Sequence, residues 1–395
     1  MAAAPTIALT FYADEATKLG SPPDDPHHPA DLTFAISEDC VMPRITAVAT
    51  LKHVTPDPAV PLQFQWKVTL VYNGVGCRHS PAREVRHPDI TRVTTSDTFV
   101  IPFSAVRGGD LTVSVSVNVG SSKLTATSHH LKVVGTNPTV AKLAAEAASA
   151  PDLFKKLMRH ESGLKQFLAP PCPYWSRDGF GGVGLCQLTY PAPSDDQVWS
   201  WKENMNGGLN IYEEKKSSAE KFPANVQETA AFKAQVRAFN KAWMAAGPAF
   251  TTAAIRRQEE AELQLNLRRM HLPPNTCLIN RPWAPDWAPP RRELIITLPP
   301  YTDEQLQREA LRGYNGWAAH LHEYKPKVDR NGLLVVKVGP AQATGTAEWE
   351  QVTAKERIAV YKKKGVIVGK PGDKNYKNTG GDPDYVNNVV KQASF

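Results

Sequence analysis

Leu62, Phe64, Trp66, Val68 and Leu70 alternate with polar residues, and Leu111, Val113, Val115 and Val117 repeat the alternation further on. A period of two places every apolar side chain of such a run on one face of a strand. Ile7, Leu9 and Phe11, then Phe99, Ile101 and Phe103, carry shorter versions of the pattern, and Pro, Gly and Asp turns separate the runs. Residues 1–135 therefore predict an antiparallel sandwich, of immunoglobulin-like type by patterning and length.

The periodicity changes after the linker Gly135–Pro138. Val140–Ala148 is alanine-rich and helical in propensity. Ser149 and Pro151 then supply a start for a helix through Arg159. Leu153, Leu157 and Glu161 follow at i, i+4 and i+8, which puts the carboxylate along the apolar stripe, and Gly163 suits the left-handed residue that ends the helix. Further on, Phe232, Val236, Phe239 and Trp243 predict a helix over Val226–Met244, and Ala253–Leu267 predicts another. Pro273–Pro290 is a boundary or surface excursion whose Trp283 and Trp287 are expected to lean on the core, with stacking on sugar faces as the alternative. Thr302 and Gln305 form a capping-box signal for a helix running to His322. Leu333–Val338 is a short strand candidate, and the Lys- and Gly-rich stretch Lys362–Gly381 an exposed loop.

At 395 residues the chain is long enough for two or three domains. The reading is a multidomain chain: a β-sandwich accessory, docking or binding domain over 1–135, then a mainly α domain over 136–395 with an inserted region around 215–300. No apolar run approaches the ~18 residues of a membrane span. The N-terminus lacks a basic segment followed by an apolar run, so export, if it occurs, uses no ordinary signal peptide. The formal charge of +7 favours anionic partners. Nucleic acid is not expected, because the cations are scattered and no phosphate loop, zinc finger or RNA-binding aromatic pair is present. Five cysteines are too few for a disulfide scaffold; Cys40 with Cys77, and Cys172 with Cys186, are the pairs considered for an oxidising compartment, beside buried free thiols.

The candidate chemistry centres on Glu161. A helix C-terminus and burial both disfavour an ionised carboxylate, which gives a glutamic acid in that place a reason to hold a proton and to donate it to a glycosidic oxygen. Gly181, Gly182 and Gly184 permit close backbone approach to a polymer, and Gln187 offers both donor and acceptor groups. A metal peptidase fits less well, since no His-Glu-x-x-His spacing is present, and Cys186 has no base near it in sequence. No cofactor and no metal are expected.

Taken together, Glu161-Ser162-Gly163, the segment Gly182-Val-Gly-Leu-Cys-Gln187-Leu, the run Glu203-Asn204 to Ile211-Tyr212, Gly313-Tyr314-Asn315-Gly316 and Asp384-Tyr385-Val386 resemble the motifs of the lysozyme-like lytic transglycosylases. The chain departs from compact members in its 215–300 insertion and in Cys186, where methionine is common. The resemblance implies a lysozyme-like fold and cleavage of peptidoglycan between N-acetylmuramic acid and N-acetylglucosamine. Glu161 would be the acid and then the base, Tyr314 would orient it, and Ser162, Gly182, Gln187, Asn204 and Asn315 would contact substrate. Asp178 is the candidate second carboxylate of a hydrolytic muramidase instead, with Asp195 and Asp196 held under the same caution. A non-catalytic glycan-binding, phage or secretion component is the remaining alternative. Partners would be glycan strands, with a secretion apparatus, phage particle or immunity protein also considered; the place of action would be the periplasm or cell wall.

Overall fold

Alternating apolar positions become two sheets with a shared core. The computed structural model describes residues 4–13, 17–20, 32–80, 84–169, 172–177, 180–246, 264–265, 268, 291–315, 321–363, 367–368, 377–378 and 382–395. The chain divides into two units, Met1–Glu213 with Tyr385–Phe395, and Glu214–Asp384.

In the first unit the strands are β1 (Thr6–Ala13), β2 (Thr17–Gly20), β3 (Leu32–Ala35), β4 (Ile45–Lys52), β5 (Phe64–Asn73), β6 (Glu84–Arg86), β7 (Ile90–Thr94), β8 (Thr98–Val100), β9 (Gly109–Val119) and β10 (Ser122–Val134). One sheet has the order β2-β1-β4-β8; the other runs β3-β10-β9-β5-β6, with β7 also paired to β5. Phe11, Ile45, Ala47 and Phe99 of the first sheet join Trp66, Val68, Val113 and Val115 of the second in one buried cluster. Each large apolar side chain so enclosed contributes about 1.5–3 kcal/mol. The expectation of a wholly antiparallel arrangement needs one correction: β3 lies parallel to β10, in a register that sets Phe34 opposite Val133. Both are core residues, and this pairing delivers Phe34 to the cluster.

The core continues past residue 135. Phe167, Trp175, Val183, Val198 and Trp199 belong to the sandwich cluster. The Trp175 indole donates to the Tyr72 hydroxyl at 3.1 Å, and the Tyr72 and Trp199 rings meet edge to face at 5.3 Å. Gly108 makes room for this packing, because a Cβ there would lie 2.1 Å from the Trp199 ring. Cys77, after the turn that ends β5, bonds to Cys172 across a Cα separation of 5.4 Å. Neither considered pair, Cys40 with Cys77 or Cys172 with Cys186, forms. Cys77 is taken by Cys172, leaving Cys40 and a buried Cys186 as thiols; Cys277 lies outside the described residues.

Helices α1 (Val140–Glu146), α2 (Asp152–Ser162), α3 (Asp195–Trp199) and the first part of α4 (Trp201–Glu220) complete this unit with the C-terminal helix Tyr385–Val390 and the short hairpin β11 (Phe167–Ala169) and β12 (Cys172–Pro173). Thr139 caps α1 by accepting from Lys142 N–H. At the start of α2, Pro151 occupies the cap position without a side-chain bond, and Ser149 precedes it outside the helix.

The second unit holds α5 (Phe222–Glu228), α6 (Ala230–Ala245), α7 (Asp303–Tyr314), α8 (Ala354–Lys363) and the strands β13 (Ile295–Thr297), β14 (Tyr324–Pro326), β15 (Val336–Val338), β16 (Thr344–Ala347) and β17 (Trp349–Gln351). The single helix expected over Val226–Met244 is two. Thr229 adopts an extended conformation, ends α5, and accepts from Phe232 N–H to start α6. The helix expected from Thr302 to His322 stops at Tyr314, capped at Asn315; His322 is already non-helical and Tyr324 opens β14. Arg312 Nε reaches back to the Leu321 carbonyl at 3.2 Å, an interaction across the return of the chain. Most of the helix expected over Ala253–Leu267, together with Trp283 and Trp287, lies outside the described residues. Of the expected loop Lys362–Gly381, Lys362 and Lys363 belong to α8, and Ile367–Val368 pairs with Lys377–Asn378. Among the described residues no helix is long and apolar enough to cross a membrane.

Candidate functional site

Glu161 occupies the last turn of α2, one residue before its end, and Gly163 terminates the helix in the left-handed conformation at φ 63°. The positive φ frees the chain to turn away, which a residue with a Cβ would resist. Phe154, Leu157 and Met158 hold the buried face of α2, leaving Glu161 half-buried.

The C-terminal helix supplies the partner of this carboxylate. Tyr385, 4% exposed, donates its hydroxyl hydrogen to Glu161 Oε1. Its ring also meets the His160 ring edge to face at 5.2 Å. Val386 and Val389 are buried beside it, Lys156 Nζ donates to the Val390 carbonyl at 3.3 Å, and the Arg159 guanidinium lies 5.9 Å from the centre of the Phe395 ring. Residues distant in sequence are thus fixed against the acid by packing at several points.

The second wall is the segment Gly182–Leu188. Val183 pairs with Leu188 and with Trp175, making a tight reversal at Gly184–Gln187. Two buried amides clamp it from beneath. Asn204, fully buried, accepts from Cys186 N–H at 2.8 Å and donates to the carbonyls of Val183 and Gln197, each at 3.0 Å. Gln166, also fully buried, accepts from Leu185 N–H at 2.9 Å and donates to Val198 O at 2.8 Å. These amides leave no room for a side chain at Gly184: a Cβ there would be 2.4 Å from Gln166 Oε1, and its φ is +75°.

Ser162 ties this loop to the helix that carries the acid. Its buried hydroxyl lies 2.8 Å from the Leu185 carbonyl and 3.2 Å from that of Met158, and it accepts from Lys165 N–H. Burial pushes the Cys186 thiol well above its ordinary value, and the neighbouring charge of Glu161 adds to the effect. A thiol held neutral in this way is a filler of space and a poor nucleophile.

The expected site residues therefore separate by role. Glu161, Ser162, Gly182, Gln187 and Asn204 all belong to this assembly in the first unit. Ser162 and Asn204, expected to touch substrate, instead spend their polar atoms on backbone groups inside the protein. Gln187 has a left-handed backbone at φ 51°, and its amide nitrogen donates to Gly184 O at 2.8 Å and faces Tyr174 O at 3.3 Å. That commitment leaves the amide oxygen as its group for a ligand among the described residues. Tyr314 and Asn315 close α7 in the second unit, where Asn315 donates to the Asp382 carbonyl at 3.1 Å. Asp178 lies outside the described residues. Asp196 pairs with Arg107, with Asp195 alongside at 3.9 Å, both in the first turn of α3.

Sequence reasoning missed Gln166 entirely and gave the Tyr385 hydroxyl no role. A lone glutamine between Lys165 and Phe167 carries no periodic or motif signal. The Tyr-Val motif did mark position 385, but only as a closing element.

No protein-family model matches the chain, and no curated protein matches it.

Proposed function

We propose that the protein is a peptidoglycan lytic transglycosylase acting through Glu161, with the helical part of the first unit as a lysozyme-like glycan site and the N-terminal sandwich as an immunoglobulin-like accessory layer. The observation that carries this reading is one half-buried carboxylate at a helix end, engaged by the Tyr385 hydroxyl and bordered by a glycine-bearing loop whose buried amides hold it rigid.

Glu161 first gives its proton to the glycosidic oxygen between N-acetylmuramic acid and N-acetylglucosamine, and the bond from that oxygen to C1 breaks. The resulting carboxylate then removes the proton of the muramoyl C6 hydroxyl as O6 bonds to C1, leaving a 1,6-anhydro end and a reprotonated Glu161. One carboxylate completes the cycle, in contrast to the two of ordinary glycoside hydrolysis. The Tyr385 hydroxyl orients the carboxyl oxygen and stabilises it when charged, which serves the second half of the cycle. The Cys77–Cys172 bond fits a protein that works in an oxidising compartment such as the periplasm.

Mass analysis of the products from purified peptidoglycan tests the reaction type. Anhydromuramoyl ends are expected; reducing muramoyl ends would assign a hydrolytic muramidase, and an absence of cleavage over a broad pH range would point to a binding or structural role.

A further inference from the structure

Phe180 is 71% exposed and Tyr190 89%, and among the described residues no other Phe, Tyr or Trp is exposed. A single apolar side chain at a surface calls for no explanation. These two differ in their place, because they flank one segment, the rigid loop Gly182–Leu188 beside Glu161.

Val183 lies between Trp175 and Leu188, so that three short passes of chain run antiparallel. Val183 and Leu188 exchange both backbone bonds, each at 3.0 Å. Ser176 N–H donates to the Gly182 carbonyl at 2.7 Å, and the Ser176 hydroxyl accepts from Gly182 N–H at 3.1 Å. The turn Gly184–Gln187 closes the end of this ladder that Ser162 ties to α2 through the Leu185 carbonyl. Phe180 precedes the ladder and Tyr190 follows it, which sets both at the end away from the turn. Gly181, between Phe180 and the ladder, has a φ of +79°, and a Cβ there would meet no heavy atom within 4 Å. The two rings therefore border open space on a backbone that is already fixed.

An aromatic ring offers a large rigid face at a small cost in conformational freedom, and a fixed backbone lowers the cost of binding further. A β-linked pyranose is complementary to such a face, with C–H groups above and below its ring and hydroxyls around the rim. Gln187 keeps its amide oxygen for a rim hydroxyl. Tyr190 lies three residues beyond it, at most about 10 Å further along the chain, whereas Glu161 belongs to the turn end. Sugars stacked at Phe180 and Tyr190 are thus removed from the bond that Glu161 would break.

We propose that Phe180 and Tyr190 form a stacking subsite for sugar rings of the glycan strand away from the scissile bond, so that the site favours polymer over short fragments. The proposal rests on the reading of Glu161 as the acid of a glycan site.

Calorimetric titration of the full chain carrying Glu161→Gln, which leaves the probe intact, tests this with a chitin hexasaccharide and a chitin disaccharide. The hexasaccharide is expected to bind more tightly. Adding Phe180→Ala or Tyr190→Ala is expected to weaken its binding on the order of tenfold, while Tyr190→Phe, which keeps the ring, binds as the parent does. Melting temperatures should not change, since both side chains are exposed. No binding of the hexasaccharide, binding indifferent to both alanine variants, or a Tyr190→Phe variant as weak as Tyr190→Ala would overturn the proposal. Ring-dependent binding beside a wild-type chain that cleaves no peptidoglycan would uphold the subsite and remove the lytic reading; cleavage with ring-independent binding would remove the subsite alone.

Discussion

Tyr385, in the last helix of the chain, donates its hydroxyl to Glu161 at the end of α2. Removing only that oxygen separates its chemical part from its packing. In Tyr385→Phe the ring remains against His160 and the aliphatic neighbours, so the fold should survive. A hydrogen bond to a charged group is worth about 1.5–3 kcal/mol, which corresponds to roughly ten- to hundredfold in rate if it acts fully in the transition state. The expected result is a fall of that size in kcat on peptidoglycan with KM little altered. A rate equal to wild type would remove Tyr385 from the site.

Asn204 distinguishes a scaffold from a ligand contact. Its amide satisfies one buried N–H and two carbonyls around the loop. Asn204→Ala orphans the Cys186 N–H, at a cost of about 1–3 kcal/mol, and removes one bond of about 0.5–1.5 kcal/mol from each carbonyl, which keep Leu188 N–H (on Val183 O) and Gln166 Nε2 (on Gln197 O) as partners. Chemical denaturation should show a loss of about 2–4 kcal/mol. An unchanged midpoint with a raised KM would restore the substrate contact suggested by the motif.

Cys77 and Cys172 close a loop of 95 residues between the sandwich and the hairpin beside Tyr174. The loop-entropy estimate for such a closure is about 4–5 kcal/mol. Denaturation with and without reductant, and of Cys77→Ser with Cys172→Ser, should reveal a loss approaching that value. Identical midpoints in both redox states would contradict it.

Alkali should act on the second unit through Tyr324. Burial raises this phenol from 10.0 to about 12, with Glu323 adding and Arg308 opposing. A folded value above the unfolded one means that the neutral phenol favours the native state. The contribution is whole below pH 10 and disappears as pH rises towards about 12. Ultraviolet titration of the folded protein should therefore show a tyrosine ionising towards pH 12 that is missing from Tyr324→Phe. In Tyr324→Phe the loss of stability over that window should shrink.

The elements with a strong local pattern were legible. Alternation at Phe64–Leu70 and Leu111–Val117 foretold β5 and β9, because period-two burial is written into neighbouring residues. The end of α2 was equally readable, since Gly163 suits the left-handed residue found there. Long-range partners were not. The Cys77–Cys172 bond and the Gln166 clamp depend on folding back segments whose contacts leave no local period. The break at Thr229 was hidden for another reason: the apolar stripe runs on into α6, and a threonine cap within it looks like any polar face residue. Glu323 illustrates the same difficulty in the second unit. Fully buried, it meets Arg308 and Arg357, each at 3.2 Å, and only the assembled unit brings those cations to it.

The most direct test of the central assignment is release of soluble fragments from labelled peptidoglycan by wild type and Glu161→Gln at equal melting temperature. The account predicts a loss of at least about 10²–10⁴-fold, the range of a general acid-base group. Cleavage by Glu161→Gln at the wild-type rate would contradict it.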